Sequence, residues 1–203
     1  MIHLYGTPRS GNTHKVRMAL TFLGLPWDEL ATDAAARQSD AFRALTPMAQ
    51  IPFLIDGEVR LRDSQAILAY LAARHRPGEW DGRTPRERGE ITLWLSHAAN
   101  EIANGPATLR LARQFGASIA EDQAQAITVR FLPVIEAHLS DRRWLVGDRL
   151  TIADLAVSPY LALMAEADID LADWPAIGEW TRRIAARPGF PAMPGWPAAE
   201  GAE

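Results

Sequence analysis

The sequence predicts an α/β unit followed by an all-α unit, and three observations carry that expectation. Apolar alternation and turn signals run β-α-β-α-β-β-α over residues 2–74, a pattern that packs as a small mixed sheet flanked by helices. His75 to Arg86, HRPGEWDGRTPR, is dense in proline, glycine and charge and marks a linker. Everything beyond it reads as helix. The expected division is 1–76 for the α/β domain, 77–86 for the linker and 87–203 for the helical domain.

The first strand rests on Ile2 and Leu4 alternating with His3. Gly6 to Asn12 is dense in turn formers, hence a loop, and a helix runs from about Thr13 to Leu23, with Val16, Leu20 and Leu23 on one face and Gly24 as its stop. Trp27 to Leu30 is a second short strand after Pro26, and Ala34 to Leu45 a weaker helical segment ending at Thr46-Pro47. Pro52 then opens the apolar run Phe53-Leu54-Ile55, where a residue without an N–H belongs at a strand's start. Asp56-Gly57 supplies a tight turn, Val59 and Leu61 alternate with Arg60 and Arg62, and Asp63-Ser64 caps a helix to about Arg74.

In the second unit, a helix from about Pro85 carries Ile91, Trp94, Leu95 and Ala98, and Gly105-Pro106 kinks or divides it. Ala120 to Leu139 repeats Ile127, Phe131, Ile135 and Leu139 at helical spacing, and Trp144-Leu145-Val146-Gly147 is a loop. Thr151 and Asp154 have capping-box spacing and open LAVSPYLALM, whose uniform apolarity predicts full burial. A last helix spans Pro175 to Arg187. The tail from Pro188, punctuated by Pro191, Pro194 and Pro197, is expected to be draped over the surface or disordered.

Composition narrows the function classes. Cysteine is absent, which excludes disulfides, cysteine-ligated metal, iron–sulfur clusters and a cysteine nucleophile; any thiol chemistry must use sulfur brought by the substrate. The five histidines show no short metal-ligand spacing, so no metal is expected. A net charge of −4 with no Lys/Arg block argues against nucleic acid. No apolar run approaches membrane-spanning length and MIHLYGTPRS is no signal peptide, so a cytoplasmic protein without membrane association is expected.

Two places offer free polar groups. The backbone around Ile51, which a cis bond to Pro52 would turn outward, can pair with an extended peptide, and the N–H groups at the Ser64 helix start can take a carboxylate. Together they suit a small, anionic, peptide-like ligand. Ser10, two residues before Asn12, either caps the first helix or donates a hydrogen bond to an anion at that helix's N-terminus. For a bound thiol, such a donor raises the thiolate fraction at neutral pH.

These stretches resemble the cytosolic glutathione transferases over nearly the whole chain. LYGTPRSGN…KVRMAL is similar to that family's first strand, catalytic loop and first helix; TPMAQIPFL…LRDSQAILAYLA to its cis-proline hairpin and acid-Ser turn; VGDRLTIADLAVSPYLAL to the capping box and apolar helix of its second domain. The resemblance implies a thioredoxin-like N-terminal domain that binds glutathione and a helical-bundle C-terminal domain that holds a small hydrophobic electrophile, around 100–113. By the same likeness Ser10, with Asn12 as its competitor, would stabilise the glutathione thiolate, and Gln50, the Ile51 backbone and Pro52 would hold the tripeptide. Asp63 and Ser64 would take its γ-glutamyl end, and Arg37 or Gln38 its glycyl carboxylate. A homodimer is implied as well. The missing cysteine sets the chain apart from cysteine-dependent branches of the family, and Tyr5, on the strand, from the tyrosine-dependent ones. Glutathione-dependent disulfide reduction or peroxidase activity, and a non-catalytic binding module, are the alternatives.

Overall fold

A computed structural model describes residues 1–197 of the chain. Four strands form one mixed sheet in the order β2-β1-β3-β4. β1 (Ile2–Gly6) runs parallel to β2 (Trp27–Ala31) and antiparallel to β3 (Phe53–Asp56), which pairs antiparallel with β4 (Val59–Arg62). The register sets Leu4 opposite Leu54 and Leu54 opposite Leu61, so three leucines cross the sheet in one row. Ile2, Leu4 and Leu54 share a core with Val16 and Leu20 of α1 (Gly11–Phe22) and with Ile67, Leu68 and Leu71 of α4 (Ser64–His75). Residues of opposite parity face the other way. There Tyr5 meets Phe53 and Phe42, the latter from α3 (Asp40–Leu45), at ring-centre distances of 5.6 and 5.8 Å.

Two local expectations need correction. The hairpin turn is Gly57-Glu58 rather than Asp56-Gly57: Asp56 still pairs with Val59, and only Gly57 has a positive φ, 61°. The Tyr70 hydroxyl donates to the Asp56 carboxylate at 2.7 Å, which holds Asp56 as the last strand residue. The weak segment 34–45 is two short helices, α2 (Ala34–Gln38) and α3. Ser39, extended at φ −66° and ψ 147°, ends one and caps the other by accepting from the Phe42 amide.

The second domain is helical: α5 (Pro85–Ala99), α6 (Glu101–Asn104), α7 (Pro106–Phe115), α8 (Glu121–Leu139), α9 (Ile152–Ala162) and α10 (Pro175–Ala185), with short 3₁₀ turns at Met164–Ala167 and Leu171–Asp173. Gly105-Pro106 divides the long helix expected from Pro85, and Asn100 breaks it a second time. α9 packs on α1, α4, α5 and α10, which accounts for an apolar composition on every face. Its start is a capping box: Asp154 accepts from the Thr151 amide at 2.9 Å, and Thr151 Oγ1 from the Ala153 amide. The proline-rich segment after α4 is pinned rather than free. Trp80 is buried, its carbonyl accepts from the Ile152 amide, and Arg149 reaches both Glu79 O and Glu87.

The tail, as far as Pro197, is draped; 198–203 lie outside the described residues. Phe190 and Trp196 close on the His14 ring of α1 at 5.5 and 5.3 Å, and neither His14 nitrogen has a hydrogen-bond partner among the described residues. Burial, reinforced by the Arg17 charge, holds the His14 pKa at about 3. The unfolded chain therefore takes up a proton that the native state refuses. That stability is fully present above pH ~6.5 and is lost as pH falls toward 3, amounting to about 2 kcal/mol by pH 5. Urea denaturation at pH 7 and pH 5 should show the loss in the parent protein and not in His14→Phe; equal losses in both would rule His14 out.

Candidate active site

Two helix N-termini and the entrance of a strand converge on one open cleft of ≈ 250 Å³, walled by Asn12, Arg37, Gln50, Ile51, Pro52, Asp63 and Ser64. The sheet register begins at Phe53, opposite Tyr5, so the Ile51 backbone stands outside the ladder. The Ile51–Pro52 bond is cis, as expected. Asp63 caps α4 from φ 70° and ψ 123°, its carboxylate accepting from the Gln65 and Ala66 amides, both at 3.0 Å. That leaves the Ser64 amide, at the first helical position, with no partner inside the helix. Positive φ in a non-glycine residue costs on the order of 1–3 kcal/mol and concentrates where function over-determines the backbone. Among the described residues Ala49, Asp63 and Asp168 show it, and the first two flank this cleft.

The buried Ser64 hydroxyl donates to Gln65 Oε1 at 2.5 Å and lies 3.5 Å from Asn12 Oδ1, so the start of α4 sits beside the first turn of α1. Both helix dipoles therefore present their positive ends to the same space. Of the residues chosen from sequence, Asn12, Gln50, Ile51, Pro52, Asp63 and Ser64 come together here. Ser10 stands beside the cleft wall rather than in it: it is the N-cap of α1, and its oxygen accepts from the Thr13 amide at 3.1 Å. Gln38 is turned away, its side-chain oxygen engaged by Arg43, and Arg37 supplies the wall instead.

Four contributors were not singled out from the sequence. Tyr160, on α9, packs its ring on Gly11, where an added Cβ would fall 2.8 Å from the ring. Burial pushes the Tyr160 phenol up, so it stays protonated. Arg110, on α7, donates to the Arg9 carbonyl at 3.1 Å and to Glu166 at 2.6 Å, bolting the loop that carries Ser10 to the helical domain. Phe115 lies under both guanidinium groups, 4.5 Å from Arg9 and 5.0 Å from Arg110. Lys15 lies one turn beyond Asn12 and is completely buried. Its side chain shares a helix face with a cleft residue, which was the available signal.

A wider groove, ≈ 910 Å³, lies between α5 and α8 and holds none of these residues. Among the described residues no helix is long and apolar enough to cross a membrane, and no group of three His, Asp or Glu is placed to hold a metal ion.

Family models match on both sides of the interdomain segment: glutathione S-transferase N-terminal domain over residues 4–80 and C-terminal domain over 105–188. The chain is 31% identical to glutathione S-transferase 3 of Zea mays, over 93% of this chain and 91% of that protein. It is 30% identical to the disulfide-bond oxidoreductase YfcG of Escherichia coli, over 93% and 92%. Among solved structures, a glutathione S-transferase from Xanthobacter autotrophicus superposes with a TM-score of 0.83 at 32% identity, covering 96% of this chain and 98% of that one. With both domains matched and the architecture shared, the chain belongs to the glutathione S-transferase family.

Proposed function

We propose that the cleft binds glutathione and that the bound thiolate attacks a small hydrophobic electrophile. The observation that carries this reading is the meeting of the Ile51 backbone, the Ser64 helix start and Asn12 in a single cleft beside Ser10. The Ile51 backbone and Gln50 pair with the tripeptide's extended chain, and Ser64 takes its γ-glutamyl carboxylate with Asp63 near the amine. Arg37, rather than Gln38, meets the glycyl carboxylate. Ser10 accepts from the Thr13 amide, which leaves its hydroxyl proton free to donate to the sulfur. Each pKa unit taken off the thiol corresponds to about 1.4 kcal/mol of preference for the thiolate. The new bond is S–C, and the electrophile's leaving group departs with its electron pair. Phe115, apolar and half-exposed against Arg9, marks the electrophile's side. The domain limits 1–76 and 87–203, a cytoplasmic homodimer and chemistry without a metal belong to the same reading.

Glutathione-dependent disulfide reduction is the second reading, supported by the likeness to the E. coli oxidoreductase. Purified protein assayed with glutathione and an activated aryl halide should form the thioether, followed by its absorbance. Reduction of a mixed disulfide without thioether formation would favour the second reading, and turnover of neither would leave a binding module.

A further inference from the structure

Beneath the cleft lies a buried amine that the proposed chemistry has not used. Lys15 is completely buried, and its Nζ has no hydrogen-bond partner among the described residues. Its neighbours say where it sits. Lys15 follows Asn12 by three residues on α1, so the two share a face, and a helical side chain leans back toward the helix N-terminus, here toward the cleft. The ammonium lies 5.3 Å from the centre of the Tyr160 ring, and Asp63, in the cleft wall, is the carboxylate whose charge acts on it. A buried, unpaired ammonium is costly, so such an amine sheds its proton unless an anion is brought to it.

We propose that Lys15 is a positioning residue for the ligand's carboxylate at the Asp63–Ser64 corner: from under the floor it supplies the charge that the Ser64 amide and hydroxyl alone do not. This rests on the glutathione reading of the cleft and deepens it. In the empty protein, burial brings the amine to a pKa of about 7, with Asp63 opposing the shift. An added carboxylate favours the ammonium, so binding near neutral pH draws in a proton.

The other charged and titratable groups around α1 do not compete for that proton. His14 has its pKa at about 3, and Arg17 is paired with Glu29 from β2. Tyr160, from α9, is pushed up by burial, and Arg110, from α7, is paired with Glu166. Asp63, from the start of α4, is held by two amides.

The test is isothermal calorimetry with S-methylglutathione, which has no thiol proton to lose, run at pH 7 in buffers of different ionisation enthalpy. The parent protein should take up a fraction of a proton on binding. Lys15→Met should take up none and bind about tenfold more weakly, while melting at the same temperature or higher, because a buried unpaired charge has gone. A merely structural lysine would instead give a lower melting temperature with affinity and proton uptake unchanged, which would overturn the proposal. Equal affinity and equal proton uptake in the two proteins would overturn it as well, leaving the glutathione reading intact. No binding by the parent protein would overturn both.

Discussion

Replacing Asp154 with alanine should cost about 3–5 kcal/mol of stability and lower the melting temperature by on the order of 10 °C. The carboxylate is fully buried at the start of α9 and accepts four hydrogen bonds. Leu145 N–H and Trp180 Nε1 donate to Oδ1, both at 3.0 Å; Thr151 N–H and Thr151 Oγ1 donate to Oδ2 at 2.9 and 3.2 Å. Burial pushes this carboxyl up, and the four donors oppose that shift. Alanine would strand all four donors in the interior, including the one that fixes the 144–147 loop. Asparagine keeps an acceptor on one side and turns an NH₂ toward the donors on the other, so Asp154→Asn should fall between parent and Asp154→Ala. Thermal unfolding of the three proteins checks the order. Parent-like melting of Asp154→Ala would show that the box is ornamental.

The second large effect is expected at Ser10. Ser10→Ala should raise the bound thiol's pKa by about one unit and cut kcat/KM at neutral pH by roughly ten- to a hundred-fold, with glutathione affinity largely spared. Because Ser10 also caps α1, alanine alone would confuse lost chemistry with a frayed helix, a cost of about 1 kcal/mol. Ser10→Asp separates the two. Aspartate caps as well as serine, yet it has no proton to donate and places a negative charge by the sulfur. It should therefore keep the stability and lose the activity. Asn12 stands in the cleft wall and Ser10 beside it, so thiolate absorbance titration of Asn12→Ala is the necessary partner. A large pKa shift there, with none for Ser10→Ala, would transfer the role to Asn12.

What could be read from the sequence was what short-range rules govern. The Leu4–Leu54–Leu61 row follows from alternation, the Asp63 cap and the Thr151–Asp154 box from spacing, and the cleft's main wall from motifs each lying within a few residues. The misplacements are local contests decided by side-chain partners that the turn and motif rules leave out. Asp56 stays in its strand because Tyr70 holds it, and Gln38 leaves the wall because Arg43 takes its oxygen. Distance in sequence hid the rest. Tyr160 reaches Gly11 because α9 packs against α1, and Arg110 reaches the Arg9 carbonyl from α7, a hundred and one residues away. The tail's packing on His14 was equally unreadable, since nothing near His14 announces an aromatic partner from the far end of the chain.

The claim beneath all of this is that the corner between the hairpin and α4 grips glutathione. Calorimetric titration with reduced glutathione, comparing the parent protein with Ser64→Ala, tests it most directly. The account predicts saturable one-site binding by the parent and at least about tenfold weaker binding by the variant, since a buried hydroxyl on a carboxylate is worth about 1.5–3 kcal/mol. No heat of binding in the parent, or the same affinity in both, would contradict it.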